Sequence, residues 1–523
     1  MSSAGYKCEE SVSLCSLPSS SCIQSLFPPL LSYLHARYGS VAPLVGSLST
    51  LGHLESLTIL GRRLRVDPGA FEALQRLTCL KSLVWRSMFF GGFHGPNAPI
   101  TEPADTVCGL GGLASLAALT RLATLDLELD LSEAQTVQGS LVYVPELLSS
   151  LSAMKERLTG LRSLRLALCD GFVNGEQELL DLAAFAVSPG LTCLAAVGIP
   201  LSGVSGLASA LTDLRDLTME LDFSIEALAG DGGGRERMFP RLTRLRVLGE
   251  DLGPEAAAVM VRLVRSAPLL EEFDCGGFSH YEGPVFILHQ ALASCCPRLA
   301  VLSTQGYLWE LRPLGALQML TQLRFRRAAG VLEDSDAEDG DGEQGPFRLP
   351  PRLRRLALVF GRGTVPAAEG ALLEHWLPCR SVVQLSLSMS DRPEATLFRE
   401  LAVVFPGIRS LALRYPTMTD VLRRFFAFKD LKGGTQQGPF SPAQNPLRAL
   451  SEFAALQQLK VQANDLMSAD TNVSGFFQPL VGHPSLRLLL LQDTSPALER
   501  KGPGQATSAA FRISELATGY KQT

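Results

Sequence analysis

Residues Leu456 to Leu466 read LQQLKVQANDL, and the reading of this stretch decides the fold. Leu459 and Val461 alternate with Gln458, Lys460 and Gln462, the period-two pattern of a strand with one buried face. Leu456, three positions upstream of Leu459, enters the same core from a bend. Working outward, L-x-x-L-x-L recurs along nearly the whole chain. It stands at Leu54-Leu57-Ile59, Leu80-Leu83-Trp85, Leu122-Leu125-Leu127, Leu161-Leu164-Leu166, Leu214-Leu217-Met219 and Leu242-Leu245-Val247. It continues at Leu270-Phe273-Cys275, Leu320-Leu323-Phe325, Leu353-Leu356-Leu358, Val382-Leu385-Leu387, Ile408-Leu411-Leu413 and Leu486-Leu489-Leu491. Degenerate copies at Leu194-Val197-Ile199 and Leu299-Leu302-Thr304 bring the total to about fifteen irregular repeats, whose separations cluster between roughly 20 and 33 residues. One such unit cannot bury its apolar face alone. Neighbours must stack, which predicts an α/β solenoid built on a parallel strand ladder.

Proline supplies an independent signal. It stands two residues before a leading apolar residue at Pro189, Pro240, Pro268, Pro297, Pro351, Pro406 and Pro484. Proline lacks the N–H that a helix needs and its ring collides with the preceding turn, so a helix must stop there. Pro254–Arg265, Pro284–Ser294 and Pro393–Val404 read as helices that open with proline where the first turn tolerates it. The repeating unit is therefore helix, proline stop, strand and loop.

These residues resemble the leucine-rich-repeat superfamily from about Leu51 to Gln492. Leu456-Leu459-Val461-Asn464-Leu466 follows its L-x-x-L-x-L-x-x-N-x-L. Leu161-Leu164-Leu166-Cys169 has the cysteine variant, whose cysteine the resemblance places in a bond to the next loop. CPRLAVL at Cys296–Leu302 is similar to the cysteine-containing repeats of F-box leucine-rich proteins. Asp130, Asp222, Glu250 and Ser390 occupy the same position in other copies, so ribonuclease-inhibitor-like and cysteine-containing repeats both stay open. The resemblance implies a horseshoe with strands on the concave face and helices on the convex face. It divides the chain into a leader or cap at 1–50, repeats over 51–495 and a tail or cap at 496–523. Near the start, Leu17-Pro18 followed by Ile23, Leu26, Phe27 and Leu30 echoes an F-box, which would recruit a Skp-type adaptor of a ubiquitin ligase. Pro28-Pro29 falls inside that box's expected helix, and no V-C-x-x-W follows.

Three insertions break the period. Residues 86–112 are rich in Gly, Pro and Phe, and Phe89, Phe90 and Phe93 are expected to pack on the flank of the repeats rather than form an exposed hydrophobic contact. Residues 331–346 carry Glu333, Asp334, Asp336, Glu338, Asp339, Asp341 and Glu343, a self-repelling run expected to be solvated. A calcium loop starting at Asp334 would need glycine sixth and glutamate twelfth, where Asp339 and Gly345 stand. Residues 415–450 include VLRRFFAFKDLK at 421–432, which reads as the convex helix of an expanded repeat. The tail after Pro496 is short and polar, with room for one capping helix.

The chain has 523 residues, 46% apolar and 19% charged, with a net charge of −5 and about 90 leucines. That balance offers no general basic surface to nucleic acid. Eleven cysteines, an odd number in no dense framework, point to a reduced compartment, the cytoplasm or the nucleus. Glu9 and Glu10 stand where a secretory signal would be basic. The longest uncharged stretch, Leu182–Thr212, is interrupted by Pro189, Gly190, Gly198, Pro200, Gly203 and Gly206, so no membrane span is expected. Catalytic, nucleotide-binding and zinc-protease motifs are missing, so the chain reads as a non-enzyme without cofactor. Cys275, His280, His289, Cys295 and Cys296 are the densest ligand-type group. In the repeat frame Cys275 points into the core while His280 and His289 fall on a loop and a helix, so no zinc site is assigned.

The candidate site is the outward strand face. Asp126, Glu128, Asp216, Glu220, Glu272 and Asp274 gather towards the first half of the ladder. Arg244, Arg246, Arg324, Arg326, Arg355, Arg414 and Lys460 lie from its middle onward. The concave face so charged suits a protein ligand, opposite charges steering orientation.

Overall fold

In the computed structural model the described residues are 33–40, 52–65, 68–89, 111–130, 143–169, 180–199, 201–203, 210–220, 239–249, 252, 254–276, 284–306, 308–327, 348–360, 373, 376–389, 395–417, 446–464, 477–493 and 508–512. The chain divides into two compact units, Met1–Leu180 with Ala184–Ile199, and Asp181–Ala183 with Pro200–Thr523. In the first unit β1 (Tyr33–Ser40), β2 (Ser56–Arg65), β3 (Ser82–Phe89), β4 (Thr124–Asp130), β5 (Ser163–Cys169) and β6 (Cys193–Val197) each pair in parallel with the next. The second unit continues the rule through β7 (Asp216–Glu220), β8 (Arg244–Leu248), β9 (Glu272–Cys275), β10 (Val301–Gly306) and β11 (Gln322–Arg327). It extends through β12 (Arg355–Val359), β13 (Gln384–Ser388), β14 (Ser410–Thr417), β15 (Gln458–Asn464) and β16 (Leu488–Asp493). A last strand, β17 (Ser508–Arg512), runs antiparallel to β16, so the tail contributes a strand where a capping helix is expected. β1 likewise adds a strand within residues 1–50.

One register runs through each unit. Leu57, Leu83, Leu125, Leu164 and Leu194 are successive partners in the first. Leu217, Leu245, Phe273, Leu302, Leu323, Leu356, Leu385, Leu411, Leu459 and Leu489 are successive partners in the second. All fifteen are buried, each contributing about 1.5–3 kcal/mol of apolar burial. This register corrects one expected copy. Leu194 aligns with Leu164, so the β6 repeat is Leu191-Leu194-Ala196, three residues upstream of the degenerate copy expected there. Ala196 takes a core place that leucine fills elsewhere, and neighbouring Ala195 blurs the alternation.

The prolines act through turns. The N–H of Leu270 donates to the carbonyl of Ala267, that of Leu299 to Cys296, that of Leu353 to Pro350 and that of Ile408 to Phe405. Each is a four-residue turn with proline second, where its fixed φ fits. At Pro484 a side chain does the work. The N–H groups of Ser485 and Leu486 donate to His483 Nδ1, 3.3 and 3.1 Å away, while Nε2–H donates to the Leu450 carbonyl at 3.0 Å. After each turn the chain is tied to its predecessor by one carbonyl that accepts two N–H groups. Arg409 O, for example, receives Gln457 N and Gln458 N, and Thr243 O receives Glu271 N and Glu272 N.

Behind the strands run α1 (Pro68–Leu74), α2 (Tyr143–Arg157), α3 (Pro254–Ser266), α4 (Pro284–Cys295) and α5 (Ala395–Val404), the last three close to their expected bounds. In α3, Ala257, Met260 and Val264 are buried at helical spacing while Arg262 and Arg265 face solvent. Elsewhere 3-10 segments, Gly111–Ala118, Leu308–Ala316 and Pro446–Glu452, replace the helix. Larger rings fill the core where leucine would leave space: Trp85 meets Phe71 of α1 with ring centroids 5.6 Å apart. Among the described residues no helix is long and apolar enough to cross a membrane. The F-box echo at 17–30, the acidic run at 331–346 and the basic stretch at 421–432 lie outside the described residues, as does the side chain of Cys169.

Candidate interaction surface

Pairing in register stacks the outward positions of successive strands into rows, so a residue's row follows from its place in the repeat. In the first unit Asp126 and Glu128 point outward from β4. Asp126, only 9% exposed, is clamped from both sides. Arg86 of β3 donates to Oδ2 through Nη2 at 2.7 Å and Nε at 3.2 Å, and Arg165 of β5 donates to Oδ1 at 3.1 Å. Arg165 also lies 3.9 Å from Glu128. Both carboxylate oxygens of Asp126 are thus engaged within the protein. Arg86 and Arg165 are not among the sequence-derived site residues. Arg165 was findable, because it occupies the same repeat position as Asp126, one copy later.

In the second unit the acidic residues are also interleaved with arginine. Arg244 lies 3.5 Å from both Asp216 and Glu272, and Arg246 lies 3.6 Å from Glu272 and 3.2 Å from Asp274. Asp216, Arg244, Glu272, Arg246 and Asp274 therefore form one zigzag of charges across β7, β8 and β9. Glu220 stands at the end of β7 opposite Leu248. The separation into acidic and basic halves is thus blurred at β8, whose two arginines answer the carboxylates on both flanks.

From β10 onward the character changes. The central outward row reads Ser303, Arg324, Ala357, Ser386, Ala412 and Lys460 from β10 to β15. Three short side chains thus form a trough between two cations, roughly 19 Å apart at about 4.8 Å per ladder step. Arg355 borders it in the row at the strand starts; Arg326 and Arg414 stand in the row at the strand ends. These side chains line, with Glu272 and Asp274 at one end, a groove of about 610 Å³; Arg326 stands outside its lining. No carboxylate stands in the outward rows of β10 to β15. Among the described residues none of Arg324, Arg326, Arg355, Arg414 and Lys460 has an ion-pair partner. Gln462 donates to Gln492 Oε1 at 2.7 Å, closing the far rim.

Of the ligand-type group near α4, His280 lies outside the described residues. Cys275 is in the core, its Sγ 3.2 Å from Met260 Sδ, and burial pushes its thiol far above the usual range. Cys296 is buried under α3, 3.7 Å from the Val264 carbonyl, and burial raises its thiol to about 12. His289 is engaged with Glu310 and Thr304. Among the described residues no three His, Cys, Asp or Glu side chains converge as metal ligands would.

Solved structures similar to this chain include one from yeast and one from Leptospira interrogans. The Rad7 and Elc1 complex of yeast matches at 15% identity over 76% of this chain and 86% of that one, with a TM-score of 0.31. An LRR protein of Leptospira interrogans matches at 14% identity over 67% and 81%, with a TM-score of 0.26. No family model and no curated protein matches the sequence. The parallel ladder, with its leucines in one register and a turn before each strand, is a leucine-rich-repeat fold.

Proposed function

We propose that this chain is a non-catalytic protein-interaction scaffold that binds a protein ligand on the outward face of its strand ladder. One observation carries the reading: the trough across β11 to β15, lined by cations with no carboxylate partner among the described residues. A floor of Ala357, Ser386 and Ala412 admits a ligand element, while Arg324, Arg355, Arg414 and Lys460 select an acidic one. The outward face of β7 to β9 in the same unit is occupied by internal ion pairs, so it contributes orientation more than attraction. The ligand is met in a reduced compartment, the cytoplasm or the nucleus.

Affinity purification from the source cell, read by mass spectrometry, tests this with the full chain and with R324E/R326E. Proteins retained by the first and lost from the second support the reading, and an unchanged set overturns it. A second reading, an F-box-like receptor of a Skp and cullin ubiquitin ligase, rests on the Leu17-Pro18 to Leu30 echo. It requires a Skp-type adaptor in the full-chain eluate that disappears when residues 1–50 are removed.

A further inference from the structure

The leading edge of the ladder, where turns deliver the chain into the strands, carries a separate charge pattern. At this edge two cations of other repeats are answered by a carboxylate one ladder step back, whereas Arg121 meets only Cys79 Sγ, 3.8 Å away. Lys81 sits 2.6 Å from Glu55, each the residue just before its strand. Arg241, third in its turn, pairs with Asp213, third in the turn of the preceding repeat. Arg352 and Arg354 occupy those same two positions ahead of β12. Their counterparts one step back are Met319 and Thr321, which carry no charge, and Arg352 Nη1 rests 3.3 Å from Met319 Sδ. Arg380, in the next turn, and Arg409, just before β14, continue the row. All four arginines are exposed, and none has an ion-pair partner among the described residues.

These arginines line one cleft of about 840 Å³ together with Ser381, Gln457 and other uncharged residues. No carboxylate and no aromatic ring is among the described residues of its lining. The backbone beneath is fixed: Arg354 O accepts from Val383 N and Gln384 N, and Arg409 O from Gln457 N and Gln458 N. Arg354 and Arg409 are two ladder steps apart, roughly 10 Å, which three residues of extended peptide also span. A guanidinium offers paired donors that fit a carboxylate in two parallel bonds. Nucleic acid fits less well, because the lining offers no aromatic ring as a stacking platform and the chain's net charge of −5 opposes a long polyanion.

We propose that the leading edge of β12 to β14 binds an acidic peptide segment of a partner protein, its carboxylates received by Arg352, Arg354, Arg380 and Arg409. The site is distinct from the sheet-face trough, although Gln384, Ser410 and Gln458 line both. The test titrates the full chain with fluorescent hexaglutamate, followed by anisotropy at low and high salt. Saturable binding that weakens with salt is expected. R354E/R409E should weaken it at least about tenfold, and R121E/R162E, exposed arginines at the same edge of earlier repeats and outside both grooves, by less than about twofold. R354Q/R409Q gives the intermediate case if reversal disturbs folding, which the thermal midpoint reports. Equal loss in both charge-reversed pairs, no loss in either, or oligothymidylate binding as tightly as the peptide overturns the proposal. Failure here leaves the sheet-face reading to its own R324E/R326E purification.

Discussion

His289 lies fully buried on α4, its Nδ1 2.7 Å from the Glu310 carbonyl and its Nε2 3.1 Å from Thr304 Oγ1. A carbonyl only accepts, so Nδ1 carries the proton and Nε2 receives the threonine hydroxyl; the ring is neutral. Burial lowers its pKa to about 4 from 6.5, against a smaller upward pull from the Glu310 carbonyl. The unfolded chain therefore binds the extra proton between pH 6.5 and 4, and stability drains away as pH falls through that window, by roughly 3 kcal/mol in all. The cost of His289→Gln, taken from urea midpoints, should shrink from pH 7 to pH 4; a constant cost would deny the burial argument. Asp126 gives a second expectation. Asp126→Ala leaves Arg86 and Arg165 without their shared acceptor on a half-exposed face, and should cost about 1–2 kcal/mol in the same measurement. The His289 arrangement was not legible beforehand. His289 is one of seven scattered histidines, and its partners come from strand and 3-10 segment in the following repeat, a proximity that only the stacked ladder creates.

Turns set the pitch of the elements, and they were the most legible part of the chain because proline and leucine mark them at fixed offsets. Pro268→Ala keeps the turn but frees the unfolded chain, and should lower stability by about 0.4–1 kcal/mol in thermal unfolding. The third turn position is more demanding where repeats press together. A Cβ on Gly407 would stand 2.4 Å from the Arg380 carbonyl oxygen, whereas one on Gly190, the same turn position ahead of β6, meets only Ser188 Oγ at 4.0 Å. Gly407→Ala should therefore destabilise by about 2 kcal/mol or more and Gly190→Ala by far less, compared by urea midpoint. Sequence reading missed this asymmetry, since both sites read Pro-Gly; the difference lies in the neighbouring repeat. It misplaced the β6 copy for a related reason, because Ala195 and Ala196 hide the alternation that only pairing with Leu164 and Leu166 restores. The outward strand residues, Arg165 included, were readable by the same period-two logic, but which of them bond to one another depends on the copy next door.

At the scale of each unit, stability is close to a sum over neighbours, because a strand touches mainly the copies before and after it. Leu385→Ala in β13 should cost about 2–5 kcal/mol. Its effect on amide exchange should concentrate in β12 to β14 and leave β7 to β9 as protected as before; uniform loosening would mean that the second unit melts as one body. The carbonyl that receives two N–H groups has a last consequence. It fixes where a repeat begins without regard to how the chain arrived there. Ala300 hands on to Thr321 by a short path and Arg409 to Gln457 by a long one, yet the two joints are the same. Chain length between joints is therefore nearly free to drift, at a loop-closure cost that grows only slowly. Such a protein can gain or lose whole passages of sequence over its history, and accept a reporter cassette in the laboratory, while every strand keeps its address.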